Sequence, residues 1–141
     1  MQIAFEQAAA AAQRGEVPVG AALVRDGVVL AADGNRVEEL RDPSAHAEML
    51  VIRAAAQAGN GRLEGCDLYV TLEPCPMCAA VISLAKLRRV YFGAYDPKSG
   101  GVEHGPKVFD HSTCHHRPEV YGGMDENRAA ELLRAFFRER R

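Results

Sequence analysis

The chain has 141 residues, 48% hydrophobic and 26% charged, which suits one substantial core and rules out a low-complexity or disordered chain. No apolar run is long enough to cross a bilayer, and the opening MQIAFEQAAAAAQR lacks the basic start and long apolar stretch of a signal peptide, so a cytoplasmic protein is expected. A net charge of -2 gives the molecule as a whole no pull on nucleic acid, so any such affinity has to come from a local patch.

Residues 2–13 are Ala-rich, carry Ile3, Phe5 and Ala9 on one side, and read as a first helix that Gly15 ends. "VGAALVRDGVVLAADGN" reads as two strands joined by Asp26-Gly27, a pair favoured in two-residue hairpin turns. Asp42-Pro43-Ser44 punctuates the chain before "AHAEMLVIRAAAQAG", a helix closed by Gly59. A short apolar strand, "LYVTL", leads into a helix over "PMCAAVISLAKL" opened by Pro76, and "RVYFGA" is the fourth strand. Residues 95–116, rich in Gly, Pro and His, read as a long functional loop with one helical turn. "EVYGG" is a fifth short strand, and residues 127–141 form a closing amphipathic helix. Helices between the later strands require parallel pairing there. The expected fold is a three-layer α/β/α domain over residues 1–141, around one central mixed sheet of about five strands.

Four cysteines, Cys66, Cys75, Cys78 and Cys114, occur in a chain expected to be cytosolic, where close thiols bind metal or do chemistry more often than they form disulfides. Cys75 and Cys78, in "LEPCPMC", are spaced as half of a metal site. Pro76 fits the first helical position, which makes Cys75 the N-cap and Cys78 the third helical residue, two positions that converge on the helix start. The third ligand has to be a histidine. His46 is the candidate, because it too lies near a helix start and would bring Glu48 beside the position that a catalytic Zn2+ leaves open. Zinc-bound hydroxide would then attack an aromatic C–NH2 carbon while Glu48 shuttles protons to the ring and to the leaving amine. A purely structural Cys2His2 site could draw its fourth ligand from "CHH" at residues 114–116, but it leaves Glu48 without a task. Cys66 is expected to be a buried small apolar residue, and Cys114 has no assigned role.

His46-Ala47-Glu48 and Pro74-Cys75-Pro76-Met77-Cys78 resemble the H-x-E…P-C-x-x-C signature of the cytidine-deaminase-like zinc deaminases. Histidine as first ligand points away from the free-cytidine deaminases, and the short cysteine spacing away from the riboflavin-pathway deaminases. Nearly the whole chain is similar to the bacterial tRNA-specific adenosine deaminases: "EVPVGA", "GN" at Gly34-Asn35, "DPSAHAEM", "LYVTLEPCPMC", "VYFGAYDPKSGG" and "LLRAFFRERR". The resemblance implies conversion of the wobble adenosine in the anticodon loop of an arginine tRNA to inosine, by a homodimer. It also implies that Asn35 hydrogen-bonds the flipped base, and that Asp96, with Lys98, holds an adjacent nucleotide. After Gly101, "VEHGPKVFDHSTCHH" departs from the Ala-Gly-Ser-containing form of much of the family.

An RNA substrate needs phosphate neutralisation near the pocket. Arg134, Arg138 and Arg141 lie at helical spacing on the last helix with Arg140 beside them, and Lys98 and Lys107 in the long loop could complete a groove. Arg138 and Arg141 are the candidate contacts; the ordinary alternative is a solvated helix face. Adjacent Phe136 and Phe137 cannot face the same way, so one is expected in the core and the other free to stack or to pack at an interface. For Asn35 the plain alternative is a turn residue after Gly34. Two other functions remain open: a deaminase of a free guanine- or cytosine-type base, and a non-catalytic zinc-stabilised module.

Overall fold

The computed structural model describes residues 1–140; Arg141, one of the expected phosphate contacts, lies outside them. Asp26 and Gly27 both take positive φ, 51° and 77°, and turn β1 (Gly20–Arg25) back along β2 (Val28–Gly34) as an antiparallel hairpin. On its other side β1 pairs antiparallel with β3 (Asp67–Leu72). β4 (Arg89–Ala94) and β5 (Glu119–Tyr121) then add in parallel, giving one mixed sheet in the order β2-β1-β3-β4-β5. The parallel half is the half whose strands are separated by helical segments.

Helices cover both faces, and the two faces differ in side-chain size. α1 (Gln2–Gln13) and α5 (Glu126–Glu139) lie on a face of small residues. A Cβ on Gly20 would stand 2.0 Å from the Ala4 carbonyl, one on Gly34 2.5 Å from the Gln7 carbonyl, and one on Gly93 2.8 Å from Ala129 Cβ. The missing side chains let both helices lie directly on the strands. The opposite face carries Leu23, Leu68, Val70, Val90 and Phe92, all fully buried against Val51, Ile52 and Ala55 of α3 (Ala47–Ala58) and Ala79 and Ile82 of α4 (Pro76–Leu84). Apolar burial at roughly 25 cal/mol per Å² makes this layer the main stabilising element.

Several element bounds differ from the sequence expectation. α4 stops at Leu84 rather than running to residue 87, because Lys86 takes a left-handed conformation with φ 57°. The Leu87 N–H then returns to the Ile82 carbonyl and the Lys86 N–H to Ser83, a Schellman cap with lysine where glycine is usual. A short helix, α2 (Val37–Leu40), follows β2 where no element was expected. α5 starts at Glu126, one residue early, and the loop's single helical turn is a 3-10 turn at Val108–Asp110. Among the described residues no helix is long and apolar enough to cross a membrane.

Candidate active site

The site is built from two helix starts aimed at one point. His46 is the N-cap of α3 and Cys75 the N-cap of α4, both with extended backbone, and neither side chain bonds to its own helix. A capping side chain ordinarily satisfies the first N–H groups; here both are turned towards each other. Cys75 Sγ lies 3.6 Å and Cys78 Sγ 3.5 Å from His46 Nδ1, and all three ligand atoms are within 4.8 Å of one another. Tetrahedral zinc with Zn–S about 2.3 Å and Zn–N about 2.0–2.1 Å requires an N···S separation of about 3.6 Å. The donor set therefore fits zinc. Among the described residues no fourth His or Cys joins the cluster. His116 instead bonds the Leu87 carbonyl and Cys114 Sγ meets Ser83 Oγ, and none of residues 114–116 joins the cluster, so "CHH" does not complete a structural site.

The charges at this point are tightly linked. A hydrogen bond from Cys78 and, after the opposing effect of burial, one from His46 pull the Cys75 thiol down to about 4. The same pairing with Cys75, together with burial, pushes Cys78 up, and the bond to Cys75 raises His46. Glu48, the second residue of α3, is only 3% exposed. Burial raises its carboxyl to about 7, against the pull of its own backbone N–H and of His46. A carboxyl tuned to that range can both accept and release a proton near neutrality.

A cavity of about 480 Å³ opens from the cluster, lined by His46, Glu48, Cys75 and Asn35, by Glu16, Val17 and Val19 of the "EVPVGA" run, and by Phe136 and Arg140 of α5. Asn35 is gripped from three sides: its N–H bonds Val19, its carbonyl accepts from Arg14, and its Oδ1 accepts the Ala47 N–H at 2.8 Å. That last bond settles which way the amide points, because an N–H can only meet the oxygen. Nδ2 is left for the cavity. Asn35 is thus more than a turn residue. Buried Glu16 accepts the Glu38 and Glu39 N–H groups and so holds α2 as the cavity rim.

A second cavity of about 780 Å³ adjoins the first, sharing Asp96, Ser99 and Arg140 and adding Lys98, Arg134, Phe137 and Arg138. Asp96 reaches both cavities, its Oδ1 accepting the Lys98 and Ser99 N–H groups to shape its own loop. Arg138 lies in the outer groove, where it and Arg134 bond Glu131; Lys107 lines neither cavity. Of the two phenylalanines, Phe136 is buried and Phe137 is 48% exposed in the basic groove. Arg140, on which no role was placed individually, stacks 3.6 Å over the Phe136 ring inside the inner cavity. Also missed was Glu73, whose carboxylate lies fully buried between β3 and Cys75. Burial acts to raise it, but the Asp96 N–H, the His104 side chain and the Glu103 and Val102 N–H groups more than offset that and hold it below its ordinary value. No residue-type spacing signals a partner set made of distant backbone amides.

A mixed α/β sheet whose paired helix starts hold a His-Cys-Cys set beside a buried glutamate defines a zinc-dependent deaminase. Residues 1–94 match the family described as the cytidine and deoxycytidylate deaminase zinc-binding region, and the chain belongs to that family. Over 142 residues it is 58% identical to the tRNA-specific adenosine deaminase of Agrobacterium fabrum, covering 100% of this chain and 93% of the relative. The enzyme of the same name from Bacillus subtilis is 45% identical, with 100% and 88% covered. Among solved structures, one from studies of A-to-I editing by tRNA:A34 deaminases at the wobble position has TM-score 0.92 and 56% identity, covering 94% of this chain and 97% of that one. A Bacillus subtilis guanine deaminase has TM-score 0.63 and 36% identity, covering 67% and 61%.

Proposed function

We infer that the enzyme deaminates the wobble adenosine of a tRNA anticodon loop to inosine, releasing ammonia. The observation that carries this reading is the adjacency of the two cavities: the pocket lined by Glu48, His46 and Cys75 shares Asp96, Ser99 and Arg140 with a groove lined by Lys98, Arg134, Arg138 and an exposed Phe137. A free base needs only the first. A nucleotide splayed out of an RNA loop needs the second as well, to neutralise phosphate and stack a neighbouring base. Similarity to tRNA-specific adenosine deaminases supports the same substrate. The sequence resemblance further supports an arginine tRNA, a homodimer as the acting form and the cytoplasm as the compartment.

His46, Cys75 and Cys78 would hold the zinc, with Glu48 the catalytic acid and base. Zinc bound there supplies the Lewis acidity that makes water a competent nucleophile near neutral pH. Glu48 carries the protons: it accepts one as oxygen adds to C6 of the adenine, passes it to the ring nitrogen, and serves again as the amine leaves. Asn35 Nδ2 donates to an acceptor nitrogen on the base and orients it. Asp96 and Lys98 hold a flanking nucleotide, and Arg138 and Arg141 meet phosphate.

Glu48→Ala is expected to keep stoichiometric zinc while ammonia release from an arginine-tRNA anticodon stem-loop falls by roughly 10²–10⁴. Undiminished release overturns the mechanism. Similarity to a guanine deaminase makes free guanine the necessary control: wild-type protein that releases ammonia from guanine and not from the RNA transfers the assignment to a free-base enzyme.

A further inference from the structure

Glu73 sits where a charge is costly to place. Its side chain has no exposed surface, and an uncompensated carboxylate there would be strongly disfavoured. Five donors compensate it. Oε1 accepts the Asp96 N–H at 3.0 Å and His104 Nδ1 at 2.8 Å. Oε2 accepts three successive backbone N–H groups, Val102 at 3.2 Å, Glu103 at 2.9 Å and His104 at 3.0 Å. Successive amides converging on one oxygen form an anion-binding nest. All five donors lie 23 to 31 residues further along the chain, in one loop.

The inner side of the same loop is pressed onto the turn that carries Cys75. The Gly101 N–H bonds the Pro74 carbonyl at 2.8 Å. A Cβ on Gly100 would stand 2.4 Å from Glu73 Oε2, and one on Gly101 2.5 Å from the Pro76 nitrogen. The outer side presents Asp96 and Ser99 to both cavities and Lys98 to the groove. One buried carboxylate thus fastens the loop that faces the substrate groove to the turn that bears a metal ligand. A purely stabilising core position would not need an ion for this, since apolar packing does as well or better. An ion surrounded by five directed donors specifies position.

We propose that Glu73, through its bonds to the 96–104 loop and with His104 as its side-chain partner, is a positioning residue that sets the loop for RNA binding without acting on the reacting base. This rests on the RNA reading above.

The test uses the full chain carrying Glu73→Gln and, separately, His104→Ala, with His104→Gln as the conservative variant. A Gln at 73 must point an amide NH2 at N–H donors, whereas His104→Ala removes one partly exposed imidazole and leaves every backbone bond. For each, hydrogen exchange of residues 96–104, zinc content, and kcat and KM on the anticodon stem-loop are measured. A hydrogen bond to a charged group is worth about a factor of ten at the lower end of its range, the end that suits a partly exposed imidazole. His104→Ala should therefore speed exchange in the loop and raise KM by roughly that factor, with zinc content and kcat held within about twofold. His104→Gln should recover most of the loss, and Glu73→Gln should move the same quantities further. Should Glu73→Gln fail to fold, His104→Ala and its rescue decide. Loop exchange at the wild-type rate in His104→Ala, or a fall in kcat or zinc at constant KM, overturns the proposal. Wild-type protein inert on RNA would sink the substrate assignment, and the exchange measurement would still decide whether Glu73 holds the loop.

Discussion

At Asn35, the fold and the proposed contact to the base use different atoms of one side chain. Oδ1 serves the fold by accepting the Ala47 N–H, and Nδ2 faces the cavity. Asn35→Asp keeps the acceptor and loses the donor, so its unfolding midpoint should stay near wild type while kcat/KM falls at least tenfold, as for one lost directed hydrogen bond. Asn35→Ala loses both and should also lose about 1 kcal/mol of stability, the usual cost of removing a helix cap. Thermal unfolding set beside deamination kinetics checks the pair. Equal activity in Asn35→Asp would mean that the base is oriented by something else. The spacing Cys75-Pro76-Met77-Cys78 was legible because proline and a two-residue gap set cap positions within one turn. The orientation of the Asn35 amide was not, since it depends on a helix that begins twelve residues later.

At the scale of elements, the two faces of the sheet give opposite expectations for small changes. Gly20→Ala would drive a methyl into the α1 backbone, which cannot yield without lifting the helix. It should cost about 1–3 kcal/mol, read as a lowered denaturation midpoint. Lys86→Gly relieves a left-handed residue at the end of α4 and should stabilise by about 1 kcal/mol. Amphipathic periodicity and the Asp26-Gly27 turn made the main strands and helices readable. The early end of α4 was hidden because Lys86 carries no turn signal, and the cap forms only because buried Leu87 anchors the next residue. α2 was equally silent: its first amides are satisfied by Glu16, more than twenty residues earlier. The 96–104 loop could be marked as functional from its glycines, but not tied to Glu73.

For the whole molecule, a net charge of -2 coexists with a groove containing Lys98, Arg134, Arg138 and Arg140. Charge reversal at Arg138 should weaken anticodon stem-loop binding and lower the slope of log K against log salt by roughly 1, while any turnover of a free base is untouched. An unchanged slope would place the RNA elsewhere. The meeting of two helix N-termini reaches further than catalysis. Each brings about half an elementary positive charge to the same spot, which favours thiolate at Cys75 and Cys78, and a bound cation holds the two thiolates together against their mutual repulsion. Chelation should accordingly lower the unfolding midpoint by more than about 10 °C, since a ligand at a thousand times its Kd contributes about 4 kcal/mol. In a starved cell the enzyme would then not merely idle. Its copies would open more often and be degraded, so that decoding capacity becomes tied to micronutrient supply through protein lifetime.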